Sequence, residues 1–140
     1  MFSGSEEPFV GKYYQLDRPL NHPAPLNRPG IMVGGSGEQK TLRLVARYAD
    51  ACNLFAGPGV TDKLAVLRKH CEREHRDFDS IEKTGLMPFD LSNGPEALID
   101  QLGTAREAGL TTVIGFLPNV WTGDSLDLLC SVVLPRAAAL

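Results

Sequence analysis

The sequence predicts an α/β fold of four parallel βα units, which is half of a (β/α)8 barrel. Four short apolar or β-branched runs alternate along the chain with four stretches whose apolar residues recur at helical spacing. Glycine and proline mark most of the boundaries between them. The length of 140 residues fits a single domain. Strands that alternate with helices in this way run parallel and are joined by right-handed crossovers.

The first βα unit follows a leading segment, 1–30, in which five prolines exclude a long helix. We expect 1–30 to be irregular and 31–140 to form the half-barrel. The apolar run 31–33 predicts a strand buried on both faces. A helix is expected over 38–49, and its apolar face consists of Leu42, Val45, Ala46 and Ala49.

The remaining three units follow the same pattern. Strands are expected at 50–55, 81–89 and 111–117. Thr61 is the expected N-cap of a helix over 61–76, and Gly109 is expected to stop the helix that Pro95 begins. The last helix is expected over 124–134, with Pro135 as its breaker. The predicted buried residues of these helices are Leu64, Leu67, Cys71, Leu98, Ile99, Leu102, Ala105, Leu126, Leu129, Val132 and Val133.

Charge and composition exclude several functional classes. A net charge of −3 gives no electrostatic basis for nucleic-acid binding, and no apolar run is long enough to span a membrane. The first residues lack the basic and apolar regions of a signal peptide. Three scattered cysteines fit reduced intracellular thiols, so a cytoplasmic location is expected.

The sequence predicts no metal site. His70, Cys71 and His75 are the nearest approach to one, but the adjacent pair points about 100° apart on a helix. No second ligand cluster occurs elsewhere in the sequence, so a packed cysteine with two surface histidines is the expectation.

A glycine-rich turn, Gly34-Gly35-Ser36-Gly37, follows the first predicted strand and precedes its helix. Glycines let backbone N–H groups approach a ligand closely, and the N-terminus of a helix attracts anions. The motif is equally compatible with a phosphate site and with a simple tight turn, because it lacks the spacing of a dinucleotide fingerprint and the Lys-Ser/Thr of a P-loop. We treat Glu38 as a capping residue, since its carboxylate would repel a phosphate.

Two runs resemble the luciferase-like monooxygenase superfamily of oxidoreductases, in particular the branch that uses coenzyme F420. They are PGIMVGGSGE from Pro29 to Glu38 and TLRLVARYADACN from Thr41 to Asn53. The strand at 111–117 and the closing Val133-Leu134-Pro135 extend the resemblance over nearly the whole chain. It covers only the family's C-terminal half, and implies strands five to eight of a (β/α)8 TIM barrel.

The resemblance implies where a cofactor would bind. Gly34, Gly35, Ser36 and Gly37 would hold the phosphate of F420 through backbone N–H groups and the Ser36 hydroxyl. Four residues after the next strand, Asn53, Phe55, Ala56 and Gly57, would line the same mouth. FMN also presents a phosphate on a ribityl chain and is the alternative cofactor. No residue matches the family's catalytic groups, so the catalytic residues are unknown.

Three hypotheses follow for function. The first is an F420-dependent oxidoreductase that transfers hydride between the deazaflavin and an organic substrate. The second is a non-catalytic half-barrel, a binding or structural protein, and the third is an FMN-dependent monooxygenase of the same superfamily. Because a four-stranded half-barrel leaves two open edges and one uncovered sheet face, we also expect completion as a homo-oligomer, in the simplest case a dimer.

Overall fold

The computed structural model describes residues 4–118, 120–121 and 123–140, and the chain divides into two compact units. The first unit ends at Gly30. It is irregular except for a two-stranded antiparallel sheet of β1 (Phe9–Val10) and β2 (Gln15–Leu16).

The second unit, from Ile31 to Leu140, is a four-stranded parallel sheet with helices between successive strands. Its strands are β3 (Met32–Gly34), β4 (Ala51–Phe55), β5 (Glu82–Pro88) and β6 (Thr112–Phe116). The connecting helices are α1 (Thr41–Tyr48), α2 (Val60–Arg73) and α3 (Pro95–Glu107). Because each strand pairs with the next one along the chain, sheet order equals chain order. The predicted fold class, an α/β half-barrel, is confirmed.

The predicted core faces of the first three helices are confirmed. All the apolar residues assigned to them are buried, because a 3.6-residue period places them on one side of each helix. They pack against the sheet in two clusters, one under α1 and α2 and the other under α3 and the last helical segment. The largest fully buried side chains among them are Leu42, Val45, Leu67, Cys71 and Leu98.

The prediction that the first strand is buried on both faces is wrong. Met32 of β3 is 49% exposed, and only Val33 packs against the core. β3 is an edge strand with β4 on one side only, and the helices cover one face of the sheet. The apolar run 31–33 therefore has only one covered face, because it lies at the edge of the sheet, although its composition is typical of a strand that is buried on both faces.

Two helices begin elsewhere than the sequence predicts. α1 starts at Thr41, since residues 38–40 form a turn and not the first helical turn. α2 starts at Val60 and is entered through Gly59, whose φ of +85° only glycine adopts without strain. Thr61 therefore lies inside the helix and is not its N-cap.

Pro135 does not break the last helix. Helical backbone continues from α4 (Ser125–Leu128) through a π-helical segment (Leu129–Val133) into α5 (Leu134–Ala137), where the proline occupies the first turn. A proline lacks the N–H that an interior α-helical residue donates, and the wider π turn shifts the hydrogen-bonding pattern ahead of it. Of the four residues predicted to point inward, Leu129 and Val133 are buried, Val132 is half-buried and Leu126 is 48% exposed.

Candidate functional site

The register of the parallel sheet sorts the strand residues into two faces. Val33, Cys52 and Leu54 belong to the face that packs under the helices. Alternate residues point to the opposite face, which is the interior of the half-barrel. At the carboxyl end of the sheet this inner face carries an apolar layer of Phe55, Leu86 and Ile114, which lie in register, together with Phe116 one step nearer the carboxyl end.

Most of the apolar layer is exposed. Phe55 on the inner strand β4 is 74% exposed and Phe116 on the edge strand β6 is 57% exposed, whereas Leu86 on the inner strand β5 is half-buried. Large exposed aromatic side chains grouped at one end of a sheet mark a binding surface more often than scattered ones do. In barrels of this kind, ligands bind at the carboxyl ends of the strands.

A polar layer lies one step below the apolar layer, at Gly34, Asn53, Thr84 and Thr112. Thr84 Oγ1 lies 2.8 Å from the Cys52 carbonyl oxygen and 3.1 Å from Asn53 Oδ1. Thr112 Oγ1 donates to Glu82 Oε1 at 2.5 Å. The two hydroxyl groups thus have partners within the sheet, and no buried side-chain nitrogen or oxygen in the described part of the chain lacks a hydrogen bond.

The glycine turn follows β3 directly and is tied to β4. Gly35 donates its N–H to the Asn53 carbonyl oxygen at 3.0 Å, so this N–H is not available to a phosphate. The N–H groups of Ser36 and Gly37 have no backbone or side-chain acceptor among the described residues. The anion-binding capacity of the turn therefore rests on Ser36 and Gly37.

Thr41, the first residue of α1, packs against the turn and leaves room only for glycine. Gly35 has a φ of +121°, and a Cβ added there would lie 3.3 Å from Thr41 Cγ2. A Cβ added at Gly37 would lie 2.9 Å from Thr41 Oγ1. The two glycines bring the turn close to the start of the helix.

Glu38 does not cap α1, because the N-cap position is Lys40 and no side chain caps the helix. Its carboxylate instead accepts a hydrogen bond from Lys63 Nζ of α2 at 2.5 Å. That ammonium group lowers the pKa of Glu38 below its ordinary value, first through the hydrogen bond and then through its charge. The expected repulsion between Glu38 and a phosphate is thus offset by the positive charge of Lys63.

His70 is buried, although the sequence suggested a surface histidine. Its Nε2 donates to the Glu38 carbonyl oxygen at 2.8 Å, so α2 holds both the side chain and the backbone of Glu38. Thr41, Lys63 and His70 were all missed as site residues. Thr41 lies four residues after Gly37, but the partners on α2 lie 25 and 32 residues away from Glu38, beyond any local sequence pattern.

The four residues predicted to line the mouth beside the glycine turn do not form one group, because Asn53 and Phe55 lie within β4 and Ala56 and Gly57 follow it. Asn53 lies beside the turn, and Phe55 belongs to the apolar layer. Ala56 and Gly57 line a separate open cavity of about 540 Å³, together with the start of α2 and with Met87, Thr104 and Ala105. The structure therefore brings Asn53 to the glycine turn and places Ala56 and Gly57 toward the helices.

The thiol and imidazole groups do not assemble into a metal centre. No group of three or more His, Cys, Asp or Glu side chains with suitable spacing occurs within the described ranges. Burial raises the pKa of the Cys52 and Cys71 thiols, which keeps them protonated near neutral pH.

Of the helices in the part of the chain that is described, none is long and apolar enough to cross a membrane.

No protein-family model matches the chain, and no curated protein sequence matches it. Solved structures do match. An F420-dependent secondary alcohol dehydrogenase in complex with an F420–acetone adduct aligns with a TM-score of 0.73 at 16% identity, over 95% of this chain and 57% of its own. A riboflavin lyase with modified FMN and riboflavin aligns with a TM-score of 0.73 at 12% identity, over 94% of this chain and 48% of its own.

A third match is the coenzyme F420-dependent tetrahydromethanopterin reductase from Methanopyrus kandleri, with a TM-score of 0.69 at 11% identity, over 96% of this chain and 59% of its own. At such identities the likeness shows the fold alone. The chain spans about half to three-fifths of the length of these structures.

Proposed function

We propose that this chain provides the cofactor-phosphate half of an F420-dependent, luciferase-like oxidoreductase. The observation that carries the proposal is the glycine turn at the carboxyl end of β3, with two unpaired N–H groups, Ser36 and Gly37, beside the exposed apolar layer. The solved structures support it, because the alcohol dehydrogenase and the reductase are F420-dependent enzymes and the riboflavin lyase holds a modified FMN.

The residues of the turn fit the phosphate end of such a cofactor. The N–H groups of Ser36 and Gly37 and the Ser36 hydroxyl would donate to phosphate oxygens, and charge-assisted bonds of this kind are the strong ones. Lys63 keeps the Glu38 carboxylate paired beside them. Asn53 would line the same site, because its carbonyl oxygen accepts the hydrogen bond from the Gly35 N–H in the turn.

The apolar layer fits the ring end of the cofactor. Phe55, Ile114 and Phe116 offer an exposed apolar surface on which a planar ring system packs and from which it excludes water. When bound, the deazaflavin supplies hydride transfer to or from an organic substrate. The residues of this chain bind and orient the cofactor, and none of them is assigned an acid–base role.

FMN is the second candidate cofactor, because it carries a phosphate on a ribityl chain and is present in one of the matching structures. If the chain binds FMN, the corresponding function is that of an FMN-dependent monooxygenase. A non-catalytic binding or structural role is the remaining alternative, and it is distinguished by whether the chain binds either cofactor.

Calorimetric titration of the chain with F420, FMN and riboflavin tests the proposal, since riboflavin has the ring system without the phosphate. We expect FMN and F420 to bind at least about tenfold more tightly than riboflavin, from charge-assisted hydrogen bonds worth about 1.5–3 kcal/mol. Gly37→Ala should abolish this difference by displacing the turn, and Gly103→Ala, in open space on α3, should preserve it. Equal affinity for FMN and riboflavin would overturn the proposal.

A further inference from the structure

The two outer strands of the four-stranded sheet carry none of the usual protection against pairing. Neither β3, with the sequence MVG, nor β6, with the sequence TVIGF, contains a charged residue or a proline. Exposed edge strands in monomeric proteins usually carry such residues because they prevent association with another strand. The edges of this sheet are therefore suited to pairing.

The hydrogen-bonding alternation shows which backbone groups are free to pair. Gly35 donates to Asn53 of β4, and Phe89, just after β5, donates to Phe116 of β6. In a parallel ladder, alternate residues bond to opposite neighbours. The backbone groups of Met32 on β3 and of Val113 and Gly115 on β6 consequently point away from the sheet, toward its open edges.

The outer flank of α1 is also apolar. Arg43 and Arg47 both pair with Glu74 near the end of α2, at 3.0 and 3.3 Å, which identifies the flank of α1 that faces α2. Leu44 and Tyr48 occupy the flank on the other side and are 49% and 54% exposed. In a closed barrel this flank packs against the helix that precedes β3 in the ring.

We propose that a second copy of this chain closes the barrel, with β6 of each copy pairing in parallel with β3 of the other. A two-fold axis along the barrel then places the carboxyl ends of all eight strands at the same end of the barrel. The apolar side chains near that end, such as Phe55 and Phe116, face those of the second copy, and polar side chains such as Asn53 and Thr84 lie below them in both copies. Four strands from each copy give the eight of a closed barrel, which agrees with a chain that spans 48–59% of the matching structures.

Closure makes the cofactor site a shared one, and this step rests on the proposed function. In the ring β3-β4-β5-β6-β3′-β4′-β5′-β6′, the strand next to β3 on its open side is β6′. The glycine turn of one copy therefore lies beside the segment that follows β6 in the other copy. That segment includes Trp121, which is 79% exposed. A single copy holds the turn but lacks this neighbouring wall.

Sedimentation equilibrium of the chain without ligand tests closure independently of the cofactor. The expected result is a species of twice the 15.2 kDa chain mass. Ile114→Lys, which introduces a charge into the apolar layer, should weaken association at least tenfold. Ala65→Lys, which places the same charge on the exposed face of the central helix α2, should leave association unchanged. A folded monomer, a larger assembly, or equal effects of the two substitutions would overturn the proposal.

Amide hydrogen exchange of the wild-type chain gives a second test that needs no variant to fold. The N–H groups of Met32, Val113 and Gly115 should be protected in the dimer, and their protection should fall on dilution as the dimer dissociates. A dimer in which these amides exchange freely would refute the pairing of β3 with β6. A dimer that fails to bind FMN or F420 would count against the proposed function alone, whereas a monomer that binds them tightly would refute closure alone.

Discussion

Replacement of Gly35 by alanine tests whether the glycine turn is held in a conformation that other residues resist. Its φ of +121° lies in a region essentially restricted to glycine, where a side chain costs about 1–3 kcal/mol. The added Cβ would also lie 3.3 Å from Thr41 Cγ2, which is tighter than ordinary van der Waals contact. We therefore expect Gly35→Ala to lower the free energy of unfolding by about 2–3 kcal/mol and the Tm by roughly 5–10 °C.

Urea unfolding followed by circular dichroism measures this loss as a lower midpoint at unchanged m-value. Gly34→Ala is the matched control, because its added Cβ lies no nearer than 4.0 Å to any heavy atom and its φ is not positive. Thr41→Ser removes Cγ2, so combining it with Gly35→Ala separates the contact from the backbone strain. Most of the loss should persist in the double variant, and equal stability of the Gly35 and Gly34 variants would refute the reasoning.

Two further predictions concern packing and charge. An alanine Cβ at Gly85 would lie 2.5 Å from Leu110 Cδ1, so Gly85→Ala should cost about 1–3 kcal/mol in thermal unfolding. Gly103→Ala, in open space on α3, should raise the free energy of unfolding by up to about 1 kcal/mol. If both substitutions changed the free energy of unfolding in the same direction, the close packing at Gly85 and the open space at Gly103 would not be the causes. Lys63→Gln should weaken FMN binding in calorimetry because it leaves the Glu38 carboxylate unpaired beside the turn. The added change Glu38→Gln should restore affinity, and continued weak binding would exclude the charge as the cause.

The parts of the fold that depend on local periodicity could be predicted from the sequence. Leu42, Val45 and Ala46 share one face of α1 because of the helical repeat itself, whatever else the chain does. Gly94 followed by Pro95 likewise fixed the start of α3, because the proline ring suits the first helical turn. These features depend on residues within a few positions of one another.

The parts that depend on distant neighbours could not be predicted in this way. His70 is buried because a backbone carbonyl 32 residues away accepts its hydrogen bond, and no periodic pattern encodes that partner. Met32 is 49% exposed because β3 is an edge strand of the sheet and the helices cover the opposite face, although the composition of β3 suits a buried strand. Pro135 is accommodated by a change of hydrogen-bonding register in the preceding π turn. In each case the tertiary environment decides between alternatives that are locally equivalent.

The glycine turn combines features that the local sequence predicts with features that depend on a distant strand. Its place after β3 and the use of glycine at 35 and 37 follow from the local sequence. Which of its N–H groups remain available depends on β4, since the Asn53 carbonyl occupies that of Gly35. The proposed anion site therefore uses fewer N–H groups than the glycine motif suggests.

The two unprotected edges of the sheet have a consequence for assembly in general. Because β3 and β6 are different strands, their pairing is a heterologous, head-to-tail contact. Such a contact closes after two copies only if each copy turns the sheet through half a revolution, and any other angle propagates into an open-ended filament. Sheet curvature, and with it residues such as Gly85 and Gly115, where Leu110 and Phe89 pack closely against the strands, would then decide between a discrete ring and a polymer.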